Sequence, residues 1–358
     1  MNGPEHTPPA QSFGVCPAPL GSSGTILLGH GGGGRLSADL IARIFRPAFN
    51  DDSLDRADDA AVLALAPDDS RAAFTTDAHI VHPLEFPGGD IGRLAVCGTV
   101  NDLAVMGARP AWLSAAFIIE EGFSIDRLAR LAASMASAAR EAGVRIVAGD
   151  TKVAPRGAVD GLMICTAGVG FVPEGRSPHA AGARPGDAVV LSGPIGNHGI
   201  AVLAARGELA FRTGLRSDTR PLNSLIEQLF DAGIQIHAMR DPTRGGLAST
   251  LNEIAAASRA EIVIEEDAIP IDPEVAAACE MLGFDPLHIA NEGKVVAFVP
   301  EDQADLAVAV MRRHPAGTDA RRIGRVQDQQ IARVLLRTSL GPTRIVELPA
   351  GELLPRIC

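Results

Sequence analysis

Two similar halves, each mixing short strands with amphipathic helices, predict an α+β (α/β) fold of two domains. The chain has 358 residues, room for two domains of ordinary size. Apolar runs of strand length alternate with helical patterns in both halves. Between them, residues 173–187 hold three prolines and three glycines and read as a linker.

Taken in order, residues 1–24 are Pro/Gly/Ser-rich and lack a basic stretch leading into an apolar core. They read as a disordered extension and not as a secretory signal. The first domain is expected over 25–172. Its opening apolar run, 26–28, meets the cluster Gly29-His30-Gly31-Gly32-Gly33-Gly34, and Leu36, Leu40, Ile41 and Ile44 follow at helical spacing. Strands are predicted over 60–65 and 72–76. A helix over 94–106 stops before Gly107 and Pro110, and a strand covers 112–119. The clearest helix is 125–142, with Leu128, Leu131, Met135 and Ala138 on one face and Gly143 as its stop. Strands over 146–148 and 162–172 end this half.

The second domain is expected over 188–338. A strand over 188–191 leads into the turn Ser192-Gly193-Pro194-Ile195-Gly196. Helices over 200–205, 222–232, 246–258 and 303–313 accompany strands over 262–265, 294–299 and 331–337. From Ser339 the chain is punctuated by Gly and Pro without a period. Residues 339–358 read as a mobile tail ending in Cys358, which fully extended reaches about 65 Å.

Composition narrows the function. Aromatics make up 4% with no tyrosine, so the cores rest on Ala, Val, Ile and Leu. A net charge of −11 argues against nonspecific binding to nucleic acid or an anionic membrane. No run of 18 apolar residues offers a spanning helix. The five cysteines, Cys16, Cys97, Cys165, Cys279 and Cys358, stand far apart with no CxxC pair. That argues against a disulfide framework and a zinc knuckle. A reducing, cytoplasmic location fits, and would keep Cys358 as a free thiol. A terminal thiol can enter a pocket, collect a group and leave again.

Candidate chemistry lies in two kinds of segment. The glycine cluster satisfies G-x-G-x-x-G in letters, but no acidic residue ends a second strand. It fails as a Walker loop because Arg35-Leu36 follows Gly34. What remains is a row of bare N–H groups at Gly31, Gly32 and Gly33 before a helix, which suits phosphate. The second kind is acidic. Asp58-Asp59 precedes a strand, Asp77 ends one, and Asn101-Asp102 interrupts an apolar helix. Asp150-Thr151-Lys152 ends another strand, and Asp241 precedes a helix start. Carboxylates abutting apolar segments need a cation or partner, and Mg²⁺ with nucleotide phosphates demands oxygen ligands. Lys152 supplies a phosphate-directed charge. His79 and His82 form an HxxH spacing without a third ligand and read as structural.

These motifs carry a resemblance. Asp-Asp-Ala-Ala, Thr-Asp, Asn-Asp-Leu-Ala-Val-Met-Gly-Ala-Arg-Pro, Gly-Asp-Thr-Lys and Asp-Pro-Thr-Arg-Gly-Gly-Leu stand in the order seen in the aminoimidazole ribonucleotide synthetase (PurM-like) ATP-binding superfamily, from about Thr25 to Arg337. Within it, the terminal Pro-Arg-Ile-Cys, the Gly-His-Gly-Gly-Gly-Gly cluster and Asn291-Glu292-Gly293-Lys294 look like the HypE carbamoyl dehydratases of hydrogenase maturation. The resemblance implies an N-terminal domain building a dimeric β-barrel and an α+β C-terminal domain. It implies ATP on Gly31, Gly32, Gly33, Asp59, Asp77, Asn101, Asp102, Asp150, Thr151, Lys152 and Asp241, with Mg²⁺ on Asp59, Asp77, Asp102, Asp150 and Asp241. The implied reaction is ATP-dependent dehydration of an S-carboxamide on Cys358 to a thiocyanate, with Lys152 directing phosphate and Glu292 as the base. The implied partners are a second copy, a HypF-type carbamoyltransferase and a HypC–HypD iron complex that takes cyanide for a [NiFe]-hydrogenase. Two alternatives stand beside it: another ATP-dependent member, such as aminoimidazole ribonucleotide synthetase, selenophosphate synthetase or thiamine-monophosphate kinase, or a non-catalytic thiol carrier. The first needs no Cys358, and the second hydrolyses no ATP.

Overall fold

The computed structural model describes residues 24–27, 40–50, 71–207, 213–329, 331–347 and 357. The expected strand over 60–65, the glycine cluster, Asp59 and Cys358 lie outside the described residues.

The first half contains helices α1 (Arg46–Phe49), α2 (Ile91–Val105) and α3 (Ile125–Ala142). Its strands are β1 (Arg71–His79), the hairpin β2 (Glu85–Phe86) and β3 (Gly89–Asp90), β4 (Arg109–Glu120), β5 (Arg145–Ala154) and β6 (Leu162–Val172). Four of these form a sheet in the order β1-β6-β4-β5, in which only β4 and β5 run parallel. The helix α3 makes that parallel crossover, as a parallel pair requires. It has the ends its sequence announces: Ser124 accepts a hydrogen bond from the Arg127 N–H, and Gly143 closes the helix at φ 71°.

Alternation along β4 and β6 sorts the sheet into two faces. Leu113, Ala115, Phe117 and Ile119 of β4 and Ile164 of β6 pack under α2 and α3 into an apolar core. On the opposite face, Trp112, Ala116, Ile118, Met163, Cys165, Ala167, Val169 and Phe171 are only half-buried, and Phe74 is 71% exposed.

The second half is a seven-stranded sheet, β13-β12-β9-β11-β7-β10-β8. In chain order its strands are β7 (Ala188–Leu191), β8 (Ala238–Arg240), β9 (Glu261–Glu265), β10 (Val296–Val299), β11 (Arg321–Val326), β12 (Arg333–Arg337) and β13 (Thr343–Ile345). Its helices are α4 (Asn197–Ala205), α5 (Asn223–Asp231), α6 (Gly246–Ser258), α7 (Pro273–Leu282) and α8 (Ala304–Arg312). Helices α5 and α8 cover one face with Val190, Ala297 and Val299; α6 covers the other with Val189, Val296 and Phe298. The sheet extends beyond the boundary read at 338. Strand β13 adds an edge, Val346 is fully buried, and the Asn252 amide donates to its carbonyl.

The halves interlock. Ala104 and Val105 at the end of α2 join the α5–α8 core, while Ile200–Leu203 of α4 and Val275 of α7 join the first core. The segment read as a linker is pinned rather than loose. Arg176 pairs with Glu227 of α5 at 2.6 Å and covers the Phe230 ring, and Glu227 also pairs with Arg109 of β4. These guanidinium bonds hold the Glu227 carboxyl well down, at about 2.

Candidate active site

Three of the expected carboxylates come together from distant parts of the chain. Asp77 sits on the helix-facing side of β1, Asp102 on α2, and Asp241 directly after β8. The Thr75 hydroxyl donates to Asp102 at 2.9 Å and the Thr99 hydroxyl donates to Asp77 at 3.4 Å. Burial, then the charge on Asp77, pushes the Asp102 carboxyl up to about 6. Burial, then the charge on Asp102, pushes Asp241 up to about 7. Acids held this way repel one another, and a divalent cation relieves the repulsion. Among the described residues no three His, Cys, Asp or Glu side chains converge closely enough to hold a metal by themselves. Carboxylate oxygens are the donor type that Mg²⁺ takes, but Asp77, Asp102 and Asp241 alone do not complete a site, and Asp59 lies outside the described residues.

Other expected residues stand elsewhere. Asn101 is buried, and both ends of its amide are occupied. Its Nδ2 donates to the Arg220 carbonyl at 3.1 Å, and its Oδ1 accepts from the Leu222 N–H at 2.8 Å. It therefore clamps α2 to the second half. Asp150, Thr151 and Lys152 lie on the edge strand β5. The register runs from Asp150 to Ala116, to Cys165, to Ala78, three strands across. At about 4.8 Å per strand that row is roughly 14 Å from β1. Asp150 and Lys152 are both mostly exposed and pair at 3.7 Å. A single chain does not bring them to the other carboxylates. His79 is buried beside Asp77 at 3.9 Å, and burial lowers its pKa to about 4; no ligand set forms around it.

Glu292 is buried, in a second centre that depends on glycine. A Cβ on Gly293 would meet the Asp218 carbonyl at 1.9 Å, so only glycine lets the 217–220 strap lie against this segment. The strap holds Glu292 from both sides: Asp218 accepts from the Glu292 N–H at 3.1 Å, and the Arg220 N–H donates to the Glu292 carbonyl at 3.3 Å. Lys294 pairs with Asp218 at 3.3 Å, and both are buried. Asn291 accepts from the Gly196 N–H at 2.7 Å and donates to the Pro242 carbonyl at 2.7 Å. It thereby joins the start of α4 to the loop carrying Asp241. A polar cavity of about 350 Å³ opens beside the Asp218–Lys294 pair, bounded also by Ser192, Asn197, Arg216 and Arg220.

The same strap reaches the end of the chain. Ser217 contacts the buried His198 Nδ1 at 2.8 Å, and His198 Nε2 donates to the carbonyl of Ile357 at 2.7 Å. Ile357 is 3% exposed and joins the first core. His198, Ser217, Asp218 and Thr219 were missed in the sequence. Their one signal is the run Ser217-Asp218-Thr219, three hydrogen-bonding side chains just before Pro221. Burial pushes the Cys97 thiol up strongly and Cys279 to about 11, so neither is a thiolate at neutral pH.

The comparisons agree with this architecture. Residues 57–172 match AIR synthase related protein, N-terminal domain, and residues 184–337 match AIR synthase related protein, C-terminal domain. Carbamoyl dehydratase HypE of Rhodobacter capsulatus is 51% identical over 333 residues, 93% of this chain and 98% of that protein. A crystal structure of hydrogenase maturation protein HypE in complex with ATP superimposes with a TM-score of 0.89 at 47% identity, covering 93% of this chain and 100% of that one. HypE in a crystal structure of a HypE–HypF complex gives 0.76 at 49% identity, covering 87% of this chain and 99% of that one.

Proposed function

The chain belongs to the HypE family of carbamoyl dehydratases, and we propose that it uses ATP to dehydrate an S-carboxamide on its own Cys358 to a thiocyanate. The observation that carries this reading is the buried docking of Ile357 onto His198, which brings the residue bonded to Cys358 beside the strap that fixes Glu292. A thiol carrier that never reacts in place has no need of such a pocket. The product supplies the cyanide ligand for the iron of a [NiFe]-hydrogenase.

The chemistry follows from the leaving group. An amide oxygen does not depart unaided; once it has accepted the γ-phosphoryl group of ATP it leaves as phosphate. One nitrogen-bound proton is lost as the oxygen is phosphorylated, which leaves a C=N–H group; Glu292, inside the fold, takes the second as the C–O bond breaks, and the electron pair of that N–H bond completes the nitrile. Asp77, Asp102 and Asp241, with Asp59, are the residues that would hold Mg²⁺. When bound, that ion neutralises phosphate charge. Gly31, Gly32 and Gly33 would add backbone donors to the phosphates, and Lys152 a cation. Burial of Ile357, the residue bonded to Cys358, supports a reading in which the thiocyanate is kept from water.

Asp150, Thr151 and Lys152 reach the phosphates from a second copy in this reading. The half-buried apolar face of the first sheet supports a homodimer closed into a barrel there, with β5 at its edge. A HypF-type transferase loads Cys358, and a HypC–HypD complex receives the cyanide, in the cytoplasm. No helix among the described residues is long and apolar enough to cross a membrane.

Intact mass spectrometry tests the reaction. Incubation with the transferase, carbamoyl phosphate and ATP adds about 43 Da and then, with ATP, removes about 18 Da, and Cys358→Ala shows neither change. A carbamoyl adduct that persists unchanged with Mg²⁺ and ATP would falsify the proposal.

A further inference from the structure

We propose that His198 is a positioning residue that receives the arm: it reads the main-chain carbonyl of the penultimate residue and thereby sets the register of Cys358 toward Glu292. This rests on the dehydratase reading above.

The hydrogen bonds define the state of the ring. A carbonyl oxygen only accepts, so His198 Nε2 carries the hydrogen that meets Ile357. In the neutral ring Nδ1 is then an acceptor, and the Ser217 hydroxyl donates to it at 2.8 Å. With its hydrogen spent there, Ser217 Oγ accepts from the Thr219 hydroxyl at 2.6 Å and from the Thr219 N–H at 3.1 Å. One directional chain therefore runs from Thr219 through Ser217 and His198 to the end of the protein. The Phe86 ring stands edge-on to the imidazole, with centroids 5.4 Å apart at 87°, and fixes its plane. Burial favours the neutral ring that this chain requires.

A fully buried histidine needs partners in any protein, and a nearby carbonyl of the same domain would serve. The partner here is 159 residues away, next to the one residue that must both leave and return. The strap also sets the register. Ser217 and Thr219 orient His198 while Asp218, between them, holds the Glu292 N–H. Base and arm are thus positioned by three consecutive residues. Recognition of a main-chain atom leaves the thiol unconstrained, so thiol, carboxamide and thiocyanate forms are all received in the same register.

The test compares His198→Leu, which removes the donor, with His198→Gln, whose side-chain amide can still donate to the Ile357 carbonyl. Two quantities are read on each full-length protein. One is the rate of iodoacetamide alkylation at Cys358, with Cys97 and Cys279 as internal controls. The other is the single-turnover rate of ATP-dependent dehydration of carbamoylated protein at saturating ATP. The expected result for His198→Leu is alkylation about tenfold faster at Cys358 alone, and dehydration about tenfold slower. The ATP concentration dependence stays unchanged, carbamoyl loading is equal or faster, and His198→Gln restores both rates. If Cys358 alkylation and dehydration in His198→Leu stay within about twofold of the parent, His198 does not position the arm. The same conclusion follows if Cys97 and Cys279 open together with Cys358, or if His198→Gln is as impaired as His198→Leu. Should His198→Leu fail to fold, Ser217→Ala, which frees Nδ1 but keeps the donor, is expected to give the same contrast at smaller size; no contrast there also overturns the proposal. Alkylation needs no ATP, so a parent protein that never dehydrates its carboxamide refutes the reaction while the alkylation contrast still decides the role of His198.

Discussion

Ile357→Ala is the most direct perturbation of the arm. The Ile357 side chain is 3% exposed and belongs to the core shared by the two halves. Truncation to alanine removes three carbons, about 2 kcal/mol of transfer free energy at about 0.8 per methylene with a discount for incomplete burial in the undocked state. A core truncation would also leave a cavity, but this side chain stands near a chain end and departs with it. The loss therefore falls on the docking equilibrium rather than on global stability. About 2 kcal/mol multiplies the ratio of undocked to docked arm by about 30. The assay is alkylation of Cys358 under conditions where docking exchanges faster than the reagent reacts, so that the rate follows the undocked fraction. Thermal unfolding is measured in parallel. The expected outcome is a Cys358 rate raised by up to that factor, with the melting temperature within about 2 °C of the parent. A rate unchanged within twofold means that Ile357 burial does not hold the arm. A large drop in melting temperature with no rate change means that it belongs to the core and not to a latch.

Two further outcomes follow from the carboxylates and the open sheet face. Asp241→Asn removes one of the mutually repelling charges, so the protein without Mg²⁺ becomes more stable by about 1 kcal/mol at pH 8, whereas the stabilisation by Mg²⁺ and ATP falls sharply; thermal shifts with and without both ligands read the opposite signs. Trp112→Glu places a charge on the half-buried face of the first sheet and is expected to convert a dimer to monomers in analytical ultracentrifugation and to abolish dehydration. A protein that is monomeric before substitution, yet active, refutes the barrel.

What was legible in the sequence depended on whether a signal is carried by a side chain or by the main chain. The helix read at 125–142 is observed over the same residues because a capped, amphipathic helix advertises both ends locally. The mutual approach of Asp77, Asp102 and Asp241 had a different signal: Asp77 ends a strand, Asp102 interrupts an apolar helix and Asp241 precedes a helix start, and a charge beside apolar segments needs a cause. The edge strand β13 was not legible. All three of its residues are exposed and show no alternation, and its only claim to strand structure is pairing with β12. The clamp made by Asn101 was not legible either: helical geometry turns adjacent residues about 100° apart, so Asn101 bonds the second half while Asp102 bonds Thr75. The His198 site was hidden most completely, since one of its two partners is a carbonyl, present at every residue and marked by none.

The arm must also be held weakly. Burial of Ile357 contributes about 2–3 kcal/mol, and the His198–carbonyl bond adds about 1. Against this, each residue fixed in one conformation costs about 1–2 kcal/mol. Ordering two or three residues of the arm therefore offsets the whole gain, and docked and undocked states lie within a few kcal/mol of each other. That balance is what the chemistry requires, because Cys358 must be open to a transferase at one step and closed against water at the next. A second anchoring side chain in the arm would upset it. Such an anchor would favour dehydration once loaded and slow the loading itself, and the two half-reactions would move in opposite directions.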